Sequence, residues 1–297
     1  MSTVFTTTLA RLLDPGLRKI YSDEAAMLQD EYTQFVNVSS MDEPYYTDYK
    51  MAFLGLIPQK PEGEAVTYDG PIPGGTKVYT PLNYGLGFRS THESVRDERY
   101  GQLKKMSKHL SRSVKQTMNI IGATAHNLAF SGGTTGFDGA QLCAAHPLLG
   151  GGTYSNLGTA ADLSVAGLQA AMISGEKTIS DRGFGTPIKF TKLIIPTDSR
   201  YIAVEILKTT ELPYTNQNTV NAIREDNLQH KVWHFLTDSD AWFLTSPDHD
   251  INMFWREKPV FSSGDDFDTG DAKHKVYFSV TTPSYGDWRG IFGNAGA

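Results

Sequence analysis

Three neighbouring residues have the types that a cysteine hydrolase uses. Cys143 lies five residues after Asp138 and three before His146, and nearby glycines could supply an oxyanion hole. However, Cys143 sits in an apolar LCAA run, which raises the pKa of a thiol and favours a small buried side chain. We predict no catalytic residue here, and a hydrolase that uses Cys143 and His146 is kept as an alternative.

The chain contains partial matches to metal-binding and phosphate-binding motifs, and each match is incomplete. His92 opens HESVR, which lacks the second histidine of a zinc-protease helix. The acidic run GDDFDTGD at 264–271 is similar to a calcium loop, but Gly270 and Tyr277 occupy ligand positions, so a solvated turn is preferred over a weak cation site. SGGTTG at 131–136 lacks the lysine of a phosphate loop. We therefore predict no metal site, no cofactor and a structural role.

Composition and charge narrow the class of protein further. The 297 residues are 39% hydrophobic, which is enough for a large core. No apolar run approaches the ~20 residues of a membrane span, and the first residues lack the pattern of a signal peptide, so we expect no membrane partner. A single cysteine excludes an internal disulfide and fits a reducing compartment. The formal charge of −6 argues against a dedicated nucleic-acid binder.

A long amphipathic helix is the main secondary-structure element that the sequence predicts. Apolar residues recur in steps of three and four from Tyr100 to Leu128, which is a helical period. Thr91 or Ser94 can cap its start, so the helix should have roughly 35 residues and be on the order of 50 Å long. Its opposite face is locally basic and carries Lys104, Lys108, Arg112 and Lys115.

An extended hairpin is predicted before this helix. Residues 64–68 and 77–79 have β-prone compositions, and the turn-rich run DGPIPGG at 69–75 joins them. Neither arm has enough apolar residues to bury a face, and an isolated two-stranded ribbon is marginal in water. We therefore expect another copy of the chain to order it, with a disordered surface loop as the alternative.

The other segments alternate between helical and extended patterns. Helices are predicted at 9–13, 22–35, 163–179 and 198–208, the last of these capped by Asp198. Strands are predicted at 189–195, 232–236, 241–245, 253–257 and 274–282. This order predicts an α+β protein with a mixed sheet.

Six segments, in order, resemble the major capsid protein of tailed double-stranded-DNA bacteriophages, whose Hong Kong phage capsid fold is shared with encapsulin shells. Each segment is weak alone, but their order and spacing are specific, and they cover most of the chain. The segments are YGLGFRSTHESVRDERYG (84–101), HNLAF (126–130), DGAQLCAAHP (138–147), SNLGTAADLS (155–164), KLIIP (192–196) and DWRGIFGNAGA (287–297).

The resemblance implies a fold made of an N-terminal arm, an extended β-hairpin loop, a long spine helix, a peripheral domain and an axial domain. We expect the arm at 1–54, the loop at 55–88, the peripheral domain with the spine helix at 89–147, the axial domain at 148–250, and strands returning to both domains at 251–297. In this family the loop lies over a neighbouring subunit. That implies an assembly interface, which we assign to Glu62, Glu64, Tyr68, Lys77 and Tyr79.

The resemblance also implies a function. Subunits of this kind assemble in the host bacterial cytoplasm as pentamers and hexamers, forming the icosahedral virion capsid around double-stranded DNA without sequence specificity. The basic stripe of Lys104, Lys108, Arg112 and Lys115 would then face the DNA. Some members carry a long N-terminal scaffolding segment, for which the arm leaves no room, so we expect a separate scaffold protein and a portal, unless the chain is already processed. An encapsulin-like compartment is the alternative within this fold.

Overall fold

The computed structural model describes residues 7–91, 100–211, 220–266 and 271–297. The chain forms two compact units, and neither is continuous in sequence. Unit 1 contains Met1–Tyr46, Tyr79–Gly122 and Met253–Thr282, and unit 2 contains Thr47–Val78, Ala123–Asn252 and Pro283–Ala297. These units do not follow the five predicted segments, whose assignment as domains stays a prediction.

The N-terminal arm contains one helix, α1 (Thr7–Met27), followed by a 3-10 helix (Glu31–Gln34) and strand β1 (Asn37–Ser40). The two separate helices predicted at 9–13 and 22–35 are therefore wrong. Pro15 lies inside α1, although proline removes a backbone hydrogen bond there. Packing offsets that loss, since Leu17 is fully buried and its carbonyl accepts a hydrogen bond from the Ser107 hydroxyl.

The two-stranded ribbon is formed by β2 (Tyr46–Ala52) and β3 (Ile72–Tyr79), and β4 (Pro81–Ser90) follows directly. The strand predicted at 64–68 is wrong, because those residues are irregular and β3 begins inside the predicted turn. The predicted hairpin paired segments that are adjacent in sequence. In the structure, residues 53–71 separate the two paired strands.

Helix α2 (Tyr100–Asn127) has 28 residues and is about 42 Å long. The predicted start and its cap at Ser94 lie outside the described residues. The apolar stripe is confirmed, although Met106 is 43% exposed. The buried members of the stripe are Leu103, Leu110, Val114, Met118, Ile121 and Ala125.

The remainder of the chain supplies short elements and two sheets. In chain order these are β5 (Ala145–Pro147), β6 (Thr153–Ser155), α3 (Val165–Glu176), β7 (Lys192–Ile195), α4 (Arg200–Lys208), a 3-10 helix (Ala222–Asp226), β8 (Gln229–Val232), β9 (Trp242–Thr245), β10 (Ile251–Asp265), β11 (Ala272–Thr281), β12 (Ser284–Tyr285) and β13 (Ile291–Asn294). One sheet has the order β1-β10-β11-β4, with β12 paired to β10, and the other has the order β13-β9-β7-β8.

The second sheet is mixed, as predicted, because β7 pairs with β8 in parallel and with β9 antiparallel. Its core includes Leu168, Leu193, Trp242 and Phe292. The predicted cap of α4 is wrong: Ser199, not Asp198, is the N-cap residue, and its side chain makes no capping hydrogen bond. No helix in the described part of the chain has the length and apolar character that a bilayer crossing needs.

Candidate functional sites

The fold brings Asp138 and His146 together. His146 lies on β5, is fully buried, and has its Nδ1 2.5 Å from Asp138 Oδ2. The β5-β6 hairpin places His146 opposite Tyr154, and the rings of both residues stack on Trp288. Burial by itself would raise the pKa of Asp138, but its interactions, led by the hydrogen bond with His146, outweigh that effect, and the pKa lies below its usual value.

The second ring nitrogen of His146 is also engaged. Its Nε2 lies 3.2 Å from Asn156 Oδ1. Asn156 is oriented by donating from Nδ2 to the carbonyl oxygens of Leu142 and Ile291, at 2.9 Å and 3.1 Å. Both imidazole nitrogens therefore face oxygen acceptors, and neither is available as a base toward a thiol.

Cys143 is not part of this cluster. Its backbone N–H donates to the Ala129 carbonyl at 3.0 Å, and its side chain is fully buried. The sulfur lies so close to Gly293 that a Cβ there would be 2.4 Å from Sγ. Burial raises the pKa of the thiol, the direction expected from its apolar neighbours. In the described part of the chain, no hydrogen bond joins Cys143 to His146.

Three of the four residues in the basic stripe bind the N-terminal arm. Arg112 Nε lies 2.7 Å from Glu24 Oε1, Lys108 Nζ lies 3.7 Å from Glu24 Oε2, and Lys115 Nζ lies 2.6 Å from Asp30 Oδ2. The hydrogen bond from Arg112 lowers the pKa of Glu24. Sequence reasoning missed these acidic partners because they lie more than 80 residues away. The DNA-facing role of the stripe stays a prediction.

Two of the five predicted interface residues contact their own subunit. Tyr79 is 2% exposed, and its ring packs 5.0 Å from that of Phe254. Lys77 donates from Nζ to the Thr135 carbonyl, and burial lowers the pKa of the amine. The ribbon is thus partly packed within its own chain, contrary to the expectation that another copy must order all of it.

The other three predicted residues lie in an exposed segment that we call the loop tip (residues 56–68). Glu62 and Glu64 are exposed there, and Tyr68 is 93% exposed. Sequence reasoning missed the apolar run that leads into the tip, although the letters FLGLI were its signal. Its large side chains are all mostly exposed: Phe53, Leu54, Leu56 and Ile57.

The segments that enter and leave the loop tip are joined by hydrogen bonds at a site that we call the neck (Phe53, Gly55, Asp69, Gly70 and Arg182). Asp69 accepts hydrogen bonds from the backbone N–H groups of Gly55 and Gly70, at 2.8 Å and 2.9 Å, and these bonds lower the pKa of Asp69. Arg182 donates from Nε to the Phe53 carbonyl at 3.1 Å and pairs with Asp69. The tip is therefore anchored at its base by residues of its own subunit.

The comparison with known proteins identifies the family. A profile of the phage capsid protein family matches residues 75–294. The chain belongs to this family. The match covers most of the sequence, and the predicted capsid function is therefore confirmed at the level of the family. No curated protein matches the chain in sequence.

Solved structures of capsids have a similar fold. The capsid of Myoviridae phage XM1 has a TM-score of 0.52 and 12% identity, covering 91% of this chain and 92% of that one. The capsid of an empty GTA particle, computed with C5 symmetry, has a TM-score of 0.55 and 9% identity, covering 91% of each chain. A virus-like particle from Pyrococcus furiosus has a TM-score of 0.52 and 10% identity, covering 94% and 97%. The α+β phage major capsid fold is confirmed.

Proposed function

We propose that this phage capsid protein is the major subunit of a tailed-phage head and assembles as pentamers and hexamers into an icosahedral shell around double-stranded DNA. The observation that carries the proposal is the loop tip and its apolar approach. Side chains from Phe53 to Ile57 are between 63% and 95% exposed, although the neck fixes this segment on its own subunit. An ordered, uncovered apolar surface is typical of an assembly interface.

The proposal assigns the interface to the tip and not to the ribbon as a whole. Glu62, Glu64 and Tyr68 remain the predicted contact residues, together with the apolar run at 53–57. Lys77 and Tyr79 support the ribbon from within the subunit.

The proposed role is mechanical and not catalytic. Cys143 is buried, and both ring nitrogens of His146 are held by Asp138 and Asn156. The cluster therefore has neither an accessible nucleophile nor a base in contact with it, which supports a structural use of these residues.

The proposal also places assembly in the host cytoplasm, with partners beyond the subunit itself. We include a separate scaffold protein and a portal in the proposal, together with DNA that is held without sequence specificity. The basic stripe of Lys104, Lys108, Arg112 and Lys115 remains the surface that would attract phosphate, although Lys108, Arg112 and Lys115 also pair with acids of the N-terminal arm.

The test is assembly of the purified chain, alone and with the scaffold protein of the same phage, followed by electron microscopy. Closed shells with five-fold vertices are expected, and their retention of DNA should weaken as salt rises. A chain that stays monomeric in both conditions would refute the capsid function. Shells that enclose an enzyme and exclude DNA would favour the encapsulin-like alternative.

A further inference from the structure

An open pocket of about 660 Å³ lies where the end of helix α4, the 3-10 helix Ala222–Asp226 and strand β8 meet. Three of the side chains that line it are apolar and buried, those of Leu207, Ile223 and Leu228. The polar residues that line it are Lys208, Arg224, Asn227, Gln229 and His230. The whole pocket lies in unit 2, and it shares no residue with the His146 cluster, the neck or the loop tip.

The polar side chains of this pocket share one chemical property. Each of them can donate a hydrogen bond, and no carboxylate of the described residues lines the pocket. The protein as a whole has the opposite bias, with 33 acidic and 27 basic residues. Glu205, Glu225 and Asp226 belong to the same elements but lie outside the lining, and Asp226 lines a neighbouring pocket instead. The pocket therefore combines positive charge with hydrogen-bond donors.

Basic side chains from three different elements converge on this pocket. Lys208 is the last residue of α4. Arg224 lies on the 3-10 helix, and its Nη1 donates a hydrogen bond to Thr210 Oγ1 at 3.1 Å, which orients the guanidinium. Burial lowers the pKa of His230 on β8, and nearby cations lower it further because they repel the charged form of the ring. These cations are Lys208, Arg200 and Lys231.

The needs of the fold explain only one of these charges. A cation at the C-terminal end of a helix is stabilised by the helix dipole, which accounts for Lys208. The same effect does not account for Arg224 and His230, which lie on other elements. Within the ranges that the structure describes, no ion pair joins any of the three side chains to a carboxylate. A bound anion would offset the repulsion among them.

We propose that this pocket binds an anion that carries two or more phosphate groups. The planar guanidinium of Arg224 can donate two parallel hydrogen bonds to one phosphate, and Lys208 and His230 can donate to the same anion. The pocket is larger than a single phosphate, and its volume lies in the range of sites for small organic ligands. A free polyphosphate and the backbone of DNA both supply this chemistry. The inference goes beyond the proposed shell function, because it needs only one folded subunit.

The test measures the binding of tripolyphosphate to the purified chain by isothermal titration calorimetry. Lys208→Gln and Arg224→Gln each remove one positive charge from the pocket and keep a polar side chain. Lys177→Gln is the matched control, because Lys177 also lies at the C-terminal end of a helix and is not part of the pocket. All three side chains are exposed, so the thermal unfolding of the variants should match that of the native chain.

The expected result is one bound anion per subunit. Its affinity should fall about tenfold or more in Lys208→Gln and in Arg224→Gln, since each variant loses a hydrogen bond to a charged group. In Lys177→Gln the affinity should change by less than about twofold. An equal loss in all three variants would overturn the inference, because it would indicate general attraction between charges and not a site.

A second titration, with a short DNA duplex, identifies the source of the phosphate. Weaker binding of tripolyphosphate alone in the two pocket variants would assign the pocket to a free polyphosphate, and weaker binding of the duplex would assign it to the DNA backbone. The inference is wrong if the native chain binds neither ligand, or if the pocket variants bind both as the native chain does. Shell formation by the unmodified chain does not depend on these outcomes, so the proposed function is tested separately.

Discussion

Two regions of the molecule differ in which side chains they bury. The cluster around His146 buries polar residues, whereas the loop tip exposes apolar ones. His146 is fully buried, with a hydrogen-bond partner at each ring nitrogen. Ile57, at the start of the tip, is 95% exposed with no apolar cover. The residues whose types could take part in catalysis therefore stabilise the fold. The apolar residues, which are best suited to a core, remain exposed. This difference supports the proposal that the tip completes its packing in an assembly.

The physical reason lies in what each region can satisfy by itself. A buried ion pair is tolerated only when its remaining hydrogen-bonding groups are also satisfied, and Asn156 and the Ala140 N–H provide this around His146 and Asp138. The tip is a short irregular segment joined at its neck, so it has no second layer against which to bury apolar side chains. The following variants test this contrast, beginning with the largest expected loss of stability.

Asp138→Ala should have the largest effect. Removal of one partner leaves the imidazole of His146 buried beside an empty site, and the free energy of unfolding should fall by about 3–5 kcal/mol. Urea unfolding followed by tryptophan fluorescence measures the change. Asp42→Asn is the control, because Asp42 is exposed and its loss should change the free energy by less than about 0.5 kcal/mol. Equal effects for the two variants would show that the buried pair contributes nothing.

Gly75→Ala should destabilise the subunit by about 3 kcal/mol, because a Cβ there would lie 1.8 Å from the Phe137 carbonyl oxygen. Backbone atoms cannot move aside as the end of a flexible side chain can. Gly70→Ala is the matched control at the neck, where a Cβ would meet nothing within 4 Å. A tolerated Gly75→Ala variant, measured by the same urea titration, would mean that the ribbon does not pack on its own subunit.

Acid should destabilise the subunit through His126. This residue is 1% exposed between Trp233 and Phe243, and both its ring nitrogens have no hydrogen-bond partner among the described residues. Burial lowers the pKa of His126 to about 3. As pH falls below about 6.5, the unfolded chain binds the proton first, so the stability present above pH 6.5 is lost progressively toward pH 3.

His126→Phe should remove this part of the acid sensitivity. Between pH 7 and pH 4.5 the native protein should lose about 2–3 kcal/mol more than the variant, as measured by urea titrations at each pH. His109→Phe changes an exposed histidine of the same helix and should keep the native pH profile. If the free energy of unfolding fell equally with pH in the native protein and in His126→Phe, His126 would not be a cause of the acid sensitivity.

Replacement of the loop tip, residues 56–68, by a short Gly/Ser linker should have the smallest effect on the subunit and the most specific effect on assembly. The neck residues Gly55, Asp69 and Arg182 remain, so thermal unfolding should stay cooperative with a free-energy change below about 0.5 kcal/mol. Sedimentation should show that shells are lost. A large drop in subunit stability would place the tip in the intramolecular core, and normal shells would exclude it from the interface.

Sequence reasoning succeeded where a pattern is local. The stripe of α2 repeats every three or four residues, and Leu103 and Val114 are buried as the period requires. The strand that precedes Pro196 was found from its β-branched residues, and it is β7. The burial of Cys143 followed from its apolar neighbours. Each of these inferences depends on fewer than about 30 adjacent residues.

The contacts that the sequence did not reveal join residues distant in the chain. The ribbon was misassigned because β2 and β3 are separated by residues 53–71. Nothing near Lys108 or Arg112 reveals Glu24 as their partner, and the DNA-facing role of the stripe stays a prediction. The packing of Tyr79 was not predicted because its contacts with Tyr46 and Phe254 come from two remote segments.

The sequence by itself determined the family, the α+β class, the long helix and the absence of a recognisable catalytic motif, because each is recorded in local composition, period or order of segments. Only the tertiary structure decided that Asp138, His146 and Asn156 form a closed buried cluster, that Arg182 and Asp69 hold the neck, and that the apolar run at 53–57 stays uncovered. Burial and pairing are properties of residues brought together across the chain, so they depend on which surfaces meet and not on the order of the letters.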